Sequence, residues 1–290
     1  MIFSIIANPD KYSVRSPLEQ TLAWCAAHGH TVHLSKRLVD VIELDCRNGI
    51  DVFDQEGDSI KKADTIIAIG GDGTLLHTAQ LLLGRPVPIL GINTGKLGFM
   101  ANVQPSEIEQ ALECIAARQF RLDKRAFLQA RAIESEQSVY ALNEFLFSRK
   151  GTSSLITVKA EYDGELLNRF WADGLLVSTP TGSTAYNLSA GGPIVMPGTD
   201  VMVVTPINPH TLTTRPLVLP IDKELKITVE ENPENILFSF DGRTLEKPGA
   251  TFSITRSTQF IELVQLPKQT YFKTLRDKLM WGQDNRENNL

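Results

Sequence analysis

The chain has 290 residues, 42% hydrophobic and 22% charged, with a formal net charge of −5. This is globular composition, long enough for one large or two ordinary domains. It has no basic footprint for nucleic acid, no dense Lys/Arg run for a membrane surface, and no apolar stretch near the ~18 residues of a membrane span. Neither nucleic acid nor membrane is therefore an expected partner, although an acidic balance does not prevent phosphate binding through backbone N–H groups and a few local cations.

In chain order, Met1-Ile-Phe-Ser-Ile-Ile is too short for a signal segment and reads as a first core strand, Ile2–Ala7. A helical stretch, Leu18–Ala27, and strands at Thr31–Ser35 and Thr65–Ile69 follow. In Leu75–Leu83 the residues Leu75, Leu76, Ala79, Leu82 and Leu83 recur on one helical face. Another strand spans Val87–Ile92, and Ser106 with Glu109 has capping-box spacing ahead of Ile108, Leu112 and Ile115. This alternation predicts an α/β domain with a parallel sheet over residues 1–120. From 121 to 266 the runs are short, β-branched and punctuated by Gly, Pro, Asp or Asn, which predicts an all-β domain. Residues 267–290 contain a helical pattern, "YFKTLRDKLMW", expected to pack back on the first domain, then a loose polar tail. Cys25, Cys46 and Cys114 are odd in number and widely spaced, so small buried hydrophobes are expected rather than a disulfide framework or zinc site. The sum points to a soluble, cytoplasmic protein.

The apolar strand at 65–69 stops at Gly70-Gly71-Asp72-Gly73, and a helix begins at once. Glycines at the carboxyl end of a parallel strand permit positive φ and close backbone approach to a ligand, and the following helix offers unpaired N–H groups to a phosphate. Asp72 there could cap the helix, hold a metal or take a proton from a hydroxyl. "GINTGKLG", residues 91–98, is a second Gly-rich loop on the same sheet edge, but it matches neither the P-loop nor the dinucleotide fingerprint. In residues 172–194 hydroxyl side chains crowd a loop around Gly182, flanked by apolar strands; packed hydroxyls need partners, which a ligand can supply. Asn143-Glu144 interrupts a strand pattern, as a solvated edge or as a grip on vicinal hydroxyls.

These stretches, with "LGINTGKLGF", "DGLLVSTPTGSTAYNLSAGGPIV" and "PHTLTTRPLVLP" in that order, resemble the NAD kinase family in its bacterial form. The GGDGT element is shared with lipid kinases and phosphofructokinases; "STPTGSTAY" narrows the choice. The resemblance implies transfer of the terminal phosphoryl group of ATP to the 2'-hydroxyl of the adenosine ribose of NAD, with a divalent metal, usually magnesium, and assembly as a homodimer or homotetramer. It implies that Asp72 is the proton acceptor, that Gly73 allows close backbone approach and that His77 reaches the phosphate region. Asn143 and Glu144 would bind ribose hydroxyls and Asp173 the nicotinamide end. Thr181, Thr184, Ala185 and Tyr186 would line the adenine pocket with Ser189 close by, and Arg243 falls where relatives contribute a site residue. The chain departs from the family pattern at Trp171, where relatives often carry Arg and where Arg169 stands two places earlier, and at Arg243, where some have Gln. A lipid or sugar kinase and a non-catalytic dinucleotide sensor are the rival functions.

Overall fold

Strands rich in β-branched and aliphatic residues make up much of a computed structural model that describes residues 1–42, 49–95, 98–151, 154–246 and 249–281. One unit comprises Met1–Lys124 with the chain from Ile261 onward; Arg125–Phe260 form the other. In chain order the first contains β1 (Ile2–Ala7), α1 (Arg15–Ala27), β2 (Thr31–Ser35), α2 (Lys36–Ile42), β3 (Ile50–Phe53), α3 (Glu56–Ser59), β4 (Thr65–Gly70), α4 (Asp72–Leu81), β5 (Pro88–Asn93) and α5 (Ile108–Ala116).

The strands are parallel in the order β3-β2-β1-β4-β5. Every residue of β4 is buried, as its unbroken apolar sequence requires of a strand covered on both faces. Phe3, Ile5, Leu18, Ile67, Leu112 and Ile115 belong to the core on one face. The chain builds outward from β1 through β2 to β3, then returns to the other side of β1 as β4. That reversal leaves a crevice beyond the carboxyl ends of β1 and β4, where open α/β sheets take ligands.

Two local expectations change. Helix α1 starts at Arg15, not Leu18, because Pro17 sits in its first turn, where a missing N–H costs no helical bond. The capping box before α5 joins Gln104 and Glu107 around a short turn opened by Pro105, rather than Ser106 and Glu109.

The second unit holds most of β6 (Arg121–Ala132), then β7 (Ser138–Ala141), β8 (Glu144–Arg149), β9 (Ile156–Tyr162), β10 (Glu165–Ala172), β11 (Gly174–Ser178), α6 (Tyr186–Ser189), β12 (Val201–Ile207), β13 (Leu217–Pro220), β14 (Leu225–Val229), β15 (Ile236–Phe240), β16 (Arg243–Thr244) and the start of β17 (Thr251–Gln265). Its pairings are antiparallel, with β10-β9-β14-β17 in one sheet and β13-β12-β11-β8-β15-β16 in the other. Alternating residues of the two sheets interdigitate. The Phe252 ring lies 4.4 Å from that of Phe238 and 5.0 Å from that of Phe147.

The end of β17 returns to the first unit, where Glu262 and Leu263 pair in parallel with Pro88 and Ile89 of β5. Helix α7 (Tyr271–Leu279) follows, capped by the Thr270 hydroxyl accepting from the Lys273 N–H. As expected, it packs on the α/β unit. Cys25 is buried, which pushes its thiol up to about 12, and Cys114 is partly buried. Cys46 and the polar tail beyond Trp281 lie outside the described residues. Among those described, no helix is long and apolar enough to cross a membrane.

Candidate active site

In the α/β unit a cavity of about 520 Å³ opens at the carboxyl ends of β1 and β4, lined among others by Asn8, Lys11, Arg37, Gly73 and His77. Arg37 pairs with Asp10 at 2.9 Å, and the His77 ring meets Glu56 at 2.6 Å. Gly71 is the N-cap of α4 and makes no side-chain cap bond. Neither Gly71 nor Gly73 has positive φ, so the expected conformational need is not what selects them. A Cβ at either would meet nothing within 4 Å; both residues line the cavity, and glycine leaves it open and its backbone bare.

Asp72 is the first residue of α4, yet its side chain does not cap the helix. Its Oδ2 accepts from the Phe99 N–H at 2.9 Å, and its Oδ1 accepts from the N–H groups of Met100 and Ala101, each at 3.1 Å. A carboxylate has about four lone-pair positions. Three consecutive backbone donors fix its orientation and leave one position, on Oδ2, for a further donor. The turn is tied to β5 by the Asn93 amide donating to the Ala101 carbonyl at 3.3 Å and by the Asn93 N–H donating to the Val103 carbonyl at 2.8 Å. Gly98 gives the carboxylate its room, since a Cβ there would lie 2.2 Å from Asp72 Oδ1 and force it to move. Lys96 and Leu97 of the same Gly-rich loop lie outside the described residues.

In the β unit, Asn143 and Glu144 lead into β8. Asp241 holds them by accepting from the N–H groups of Leu142 and Asn143, each at 2.8 Å, and of Glu144 at 3.4 Å. The 178–189 loop is fastened to the same backbone. The Thr179 N–H donates to the Asn143 carbonyl at 2.8 Å, and a Cβ on Gly182 would lie 2.2 Å from that oxygen. Burial, and then the nearby Asp241 charge, push the Glu144 carboxyl up to about 7, against a hydrogen bond from the Tyr186 N–H. Glu144 Oε2 is buried with no hydrogen-bond partner among the described residues, so a ligand hydroxyl would satisfy it.

Residues 3–120 match the model of the ATP-NAD kinase N-terminal domain, and residues 142–266 that of the ATP-NAD kinase C-terminal domain. The chain belongs to the NAD kinase family. These enzymes are phosphotransferases. An NAD kinase of Flavobacterium psychrophilum is 41% identical over 239 residues, 81% of each chain, and one of Bacteroides fragilis is 35% identical over 289 residues, 99% of this chain and 100% of that one. The crystal structure of yeast NADH kinase complexed with NADH shares the fold, with a TM-score of 0.89 at 24% identity over 98% of this chain and 89% of that one.

The positions expected from the NAD kinase pattern fall into separate groups. Asp72, Gly73 and His77 share the α/β unit, the latter two in its cavity. Asn143, Glu144, Thr181, Thr184, Ala185 and Tyr186 gather in the β unit, with Ser189 at the end of α6. Arg243 is exposed on β16, just beyond Asp241. Asp173 stands apart. Ser178 pairs with Glu144 and Gly174 with Ser148, so Asp173, one residue beyond Gly174, is at the opposite end of that ladder, about 17 Å away at 3.4 Å per residue. Its two oxygens accept from Asn208 and Arg149, which hold its carboxyl below the usual range. Trp171 packs on His210 with the rings tilted by 42°, and Arg169 pairs with Glu230, so each has a partner within the unit.

In the hydroxyl-rich loop, Ser178, Thr179, Ser183 and Thr184 all donate to backbone carbonyls, which staples the loop in place. Two features escaped sequence reasoning. Backbone donors at 99–101 carry no side-chain signature. Asp241 was visible only as part of an Asp-Gly turn, whose positive φ values of 48° and 76° mark it in the structure.

Proposed function

We propose that this chain transfers the terminal phosphoryl group of ATP to the 2'-hydroxyl of the adenosine ribose of NAD, giving NADP. The seat of Asp72 is the observation that carries this reading: a carboxylate fixed by three backbone donors, with one acceptor position left on Oδ2. That position would accept the 2'-hydroxyl. As the hydroxyl oxygen bonds to the terminal phosphorus and the bridging P–O bond breaks toward ADP, its proton passes to Asp72. A secondary alcohol is a poor nucleophile at neutral pH, so a placed carboxylate contributes roughly 10²–10⁴-fold. In-line positioning and charge neutralisation supply the rest.

The cavity supports a polyanionic donor. Bare backbone at Gly71 and Gly73, the first turn of α4, and the side chains of Lys11, Arg37 and His77 would receive its phosphates. The lining mixes the charged side chains of Asp10, Lys11, Arg37 and Glu56 with Ala7, Pro9 and glycine backbone, which suits a polar phosphate-bearing ligand. A divalent cation, magnesium by preference, would neutralise the triphosphate charge. Among the described residues no three His, Cys, Asp or Glu side chains gather into a cage, and the cavity carboxylates Asp10 and Glu56 are hard oxygen donors. Asp10 and Glu56, here paired with Arg37 and His77, would have to exchange those partners to contribute to a cation held mainly by phosphates and water.

Glu144, with its unspent buried oxygen, and Asn143 would grip the ribose hydroxyls. Thr181, Thr184, Ala185, Tyr186 and Ser189 would border the adenine, while Asp173 would serve the nicotinamide end and Arg243 a polar group of the ligand. Exposed Leu217 and Val218 on the edge strand β13 support assembly as a homodimer or homotetramer. The deciding experiment measures NADP formation from NAD with ATP, with polyphosphate and with neither. Product that requires ATP and NAD supports the reading; no product with any donor overturns it.

A further inference from the structure

The turn that seats Asp72 is gripped from its other side by the C-terminal segment. After β17 the chain reverses through Lys268, which has φ +72°, and Gln269 closes the turn. Its side-chain oxygen accepts from the Leu266 N–H at 3.0 Å, while its side-chain nitrogen donates to the Asn102 carbonyl at 3.4 Å. At the far end of α7 the Lys278 ammonium lies over the Phe99 ring, 5.7 Å from its centroid, within cation–π range. The three donors to Asp72 are thereby bracketed. The first, Phe99, is held through its ring, and the residue after the last, Asn102, through its carbonyl.

We propose that Gln269 is a positioning residue for Asp72, holding the Phe99–Asn102 turn so that its N–H groups fix the carboxylate. This rests on Asp72 receiving the hydroxyl proton, as set out above. The physical case is one of leverage. The donors are backbone groups, so their direction follows the path of the turn, and a displacement near 1 Å at a reacting group costs about a hundredfold in rate. Gln269 is also suited to a clean substitution. A glutamate there can still accept from the Leu266 N–H and keep the chain reversal, but it offers no N–H to Asn102 and sets a charge against that carbonyl.

The test uses the full chain with Gln269→Glu, Gln269→Met, Asp72→Asn and the double variant Asp72→Asn/Gln269→Glu, with thermal midpoints measured throughout. Gln269→Glu should lower kcat about five- to tenfold with the NAD dissociation constant unchanged by calorimetry, and Gln269→Met should do the same. In the Asp72→Asn background, Gln269→Glu should lower kcat no further, because residues acting through one group are not additive. An unchanged kcat in both single variants would overturn the proposal. So would an equal loss in both backgrounds, or a loss confined to NAD affinity or to the folded fraction. A wild-type rate in Asp72→Asn alone would instead remove the role of Asp72, and the proposal with it, whatever the Gln269 variants do.

Discussion

Gly98→Ala isolates the seat of Asp72 without touching a functional group. The new Cβ would lie 2.2 Å from Oδ1 and 2.9 Å from Cγ of Asp72, and 3.1 Å from the Ala101 carbonyl oxygen. Ordinary contact starts at 3.4 Å, so the carboxylate must retreat by about 1.2 Å, a shift of the size that costs roughly a hundredfold in rate at a reacting group. Retreat also weakens bonds from three N–H donors, each worth about 1.5–3 kcal/mol to a charged acceptor. Part of that is recovered by water, so stability should fall by no more than about 2 kcal/mol. We expect kcat for NADP formation to drop about a hundredfold in a coupled spectrophotometric assay, with the calorimetric NAD dissociation constant within about threefold of wild type, because only one hydroxyl contact is disturbed. A kcat within twofold of wild type, in a variant of normal thermal midpoint, would show that the position of Asp72 does not govern the reaction.

Asp72→Asn keeps the shape but removes the base, and should lower kcat about a hundredfold or more with NAD binding nearly intact; most of the wild-type rate surviving would rule Asp72 out. Glu144→Gln should weaken NAD binding about tenfold or more and ATP binding less, since a hydroxyl donating to a carboxylate is worth about 1.5–3 kcal/mol; unchanged NAD affinity by calorimetry would reject the contact. The same variant tests the raised Glu144 carboxyl. Between its ordinary value of 4.5 and about 7 the folded protein keeps a proton that the unfolded chain releases, so this group makes stability fall as pH rises through that window. The thermal midpoint of Glu144→Gln should therefore fall less than that of wild type between pH 4.5 and 7, and parallel curves would contradict the burial of that charge.

The sheet was legible where burial on both faces produced largely apolar runs, as in β1 and β4, and where β-branched and alternating residues marked β2. It was illegible at β3, where Asp51 and Val52 are both exposed and neither a run nor an alternation forms. Asp72 was legible as a functional candidate from its setting between glycines. Its partners were not, because N–H donation at residues 99–101 is indifferent to the identity of Phe, Met and Ala. Gly98 stood in a Gly-rich loop that matched no nucleotide fingerprint, and only the structure shows that its missing side chain makes room for the Asp72 carboxylate. The Glu144 environment depends on Asp241, 97 residues further along, a proximity created by pairing between β8 and β15 that no local pattern encodes. The hydroxyl loop was located by its sequence, but the backbone carbonyls that its hydroxyls donate to were not, since composition does not specify a hydroxyl's partner.

The most direct measurement pairs NAD with its analogue lacking the 2'-hydroxyl on the adenosine ribose, each incubated with ATP labelled in its terminal phosphate. With NAD, label should appear in NADP. The analogue should bind with a loss of about 1–3 kcal/mol, the usual cost of one unpaired polar partner, and should take up no label, because no other oxygen lies in line with the donor. Labelled product from the analogue would place the reacting oxygen elsewhere and contradict the assignment of Asp72 to the 2'-hydroxyl.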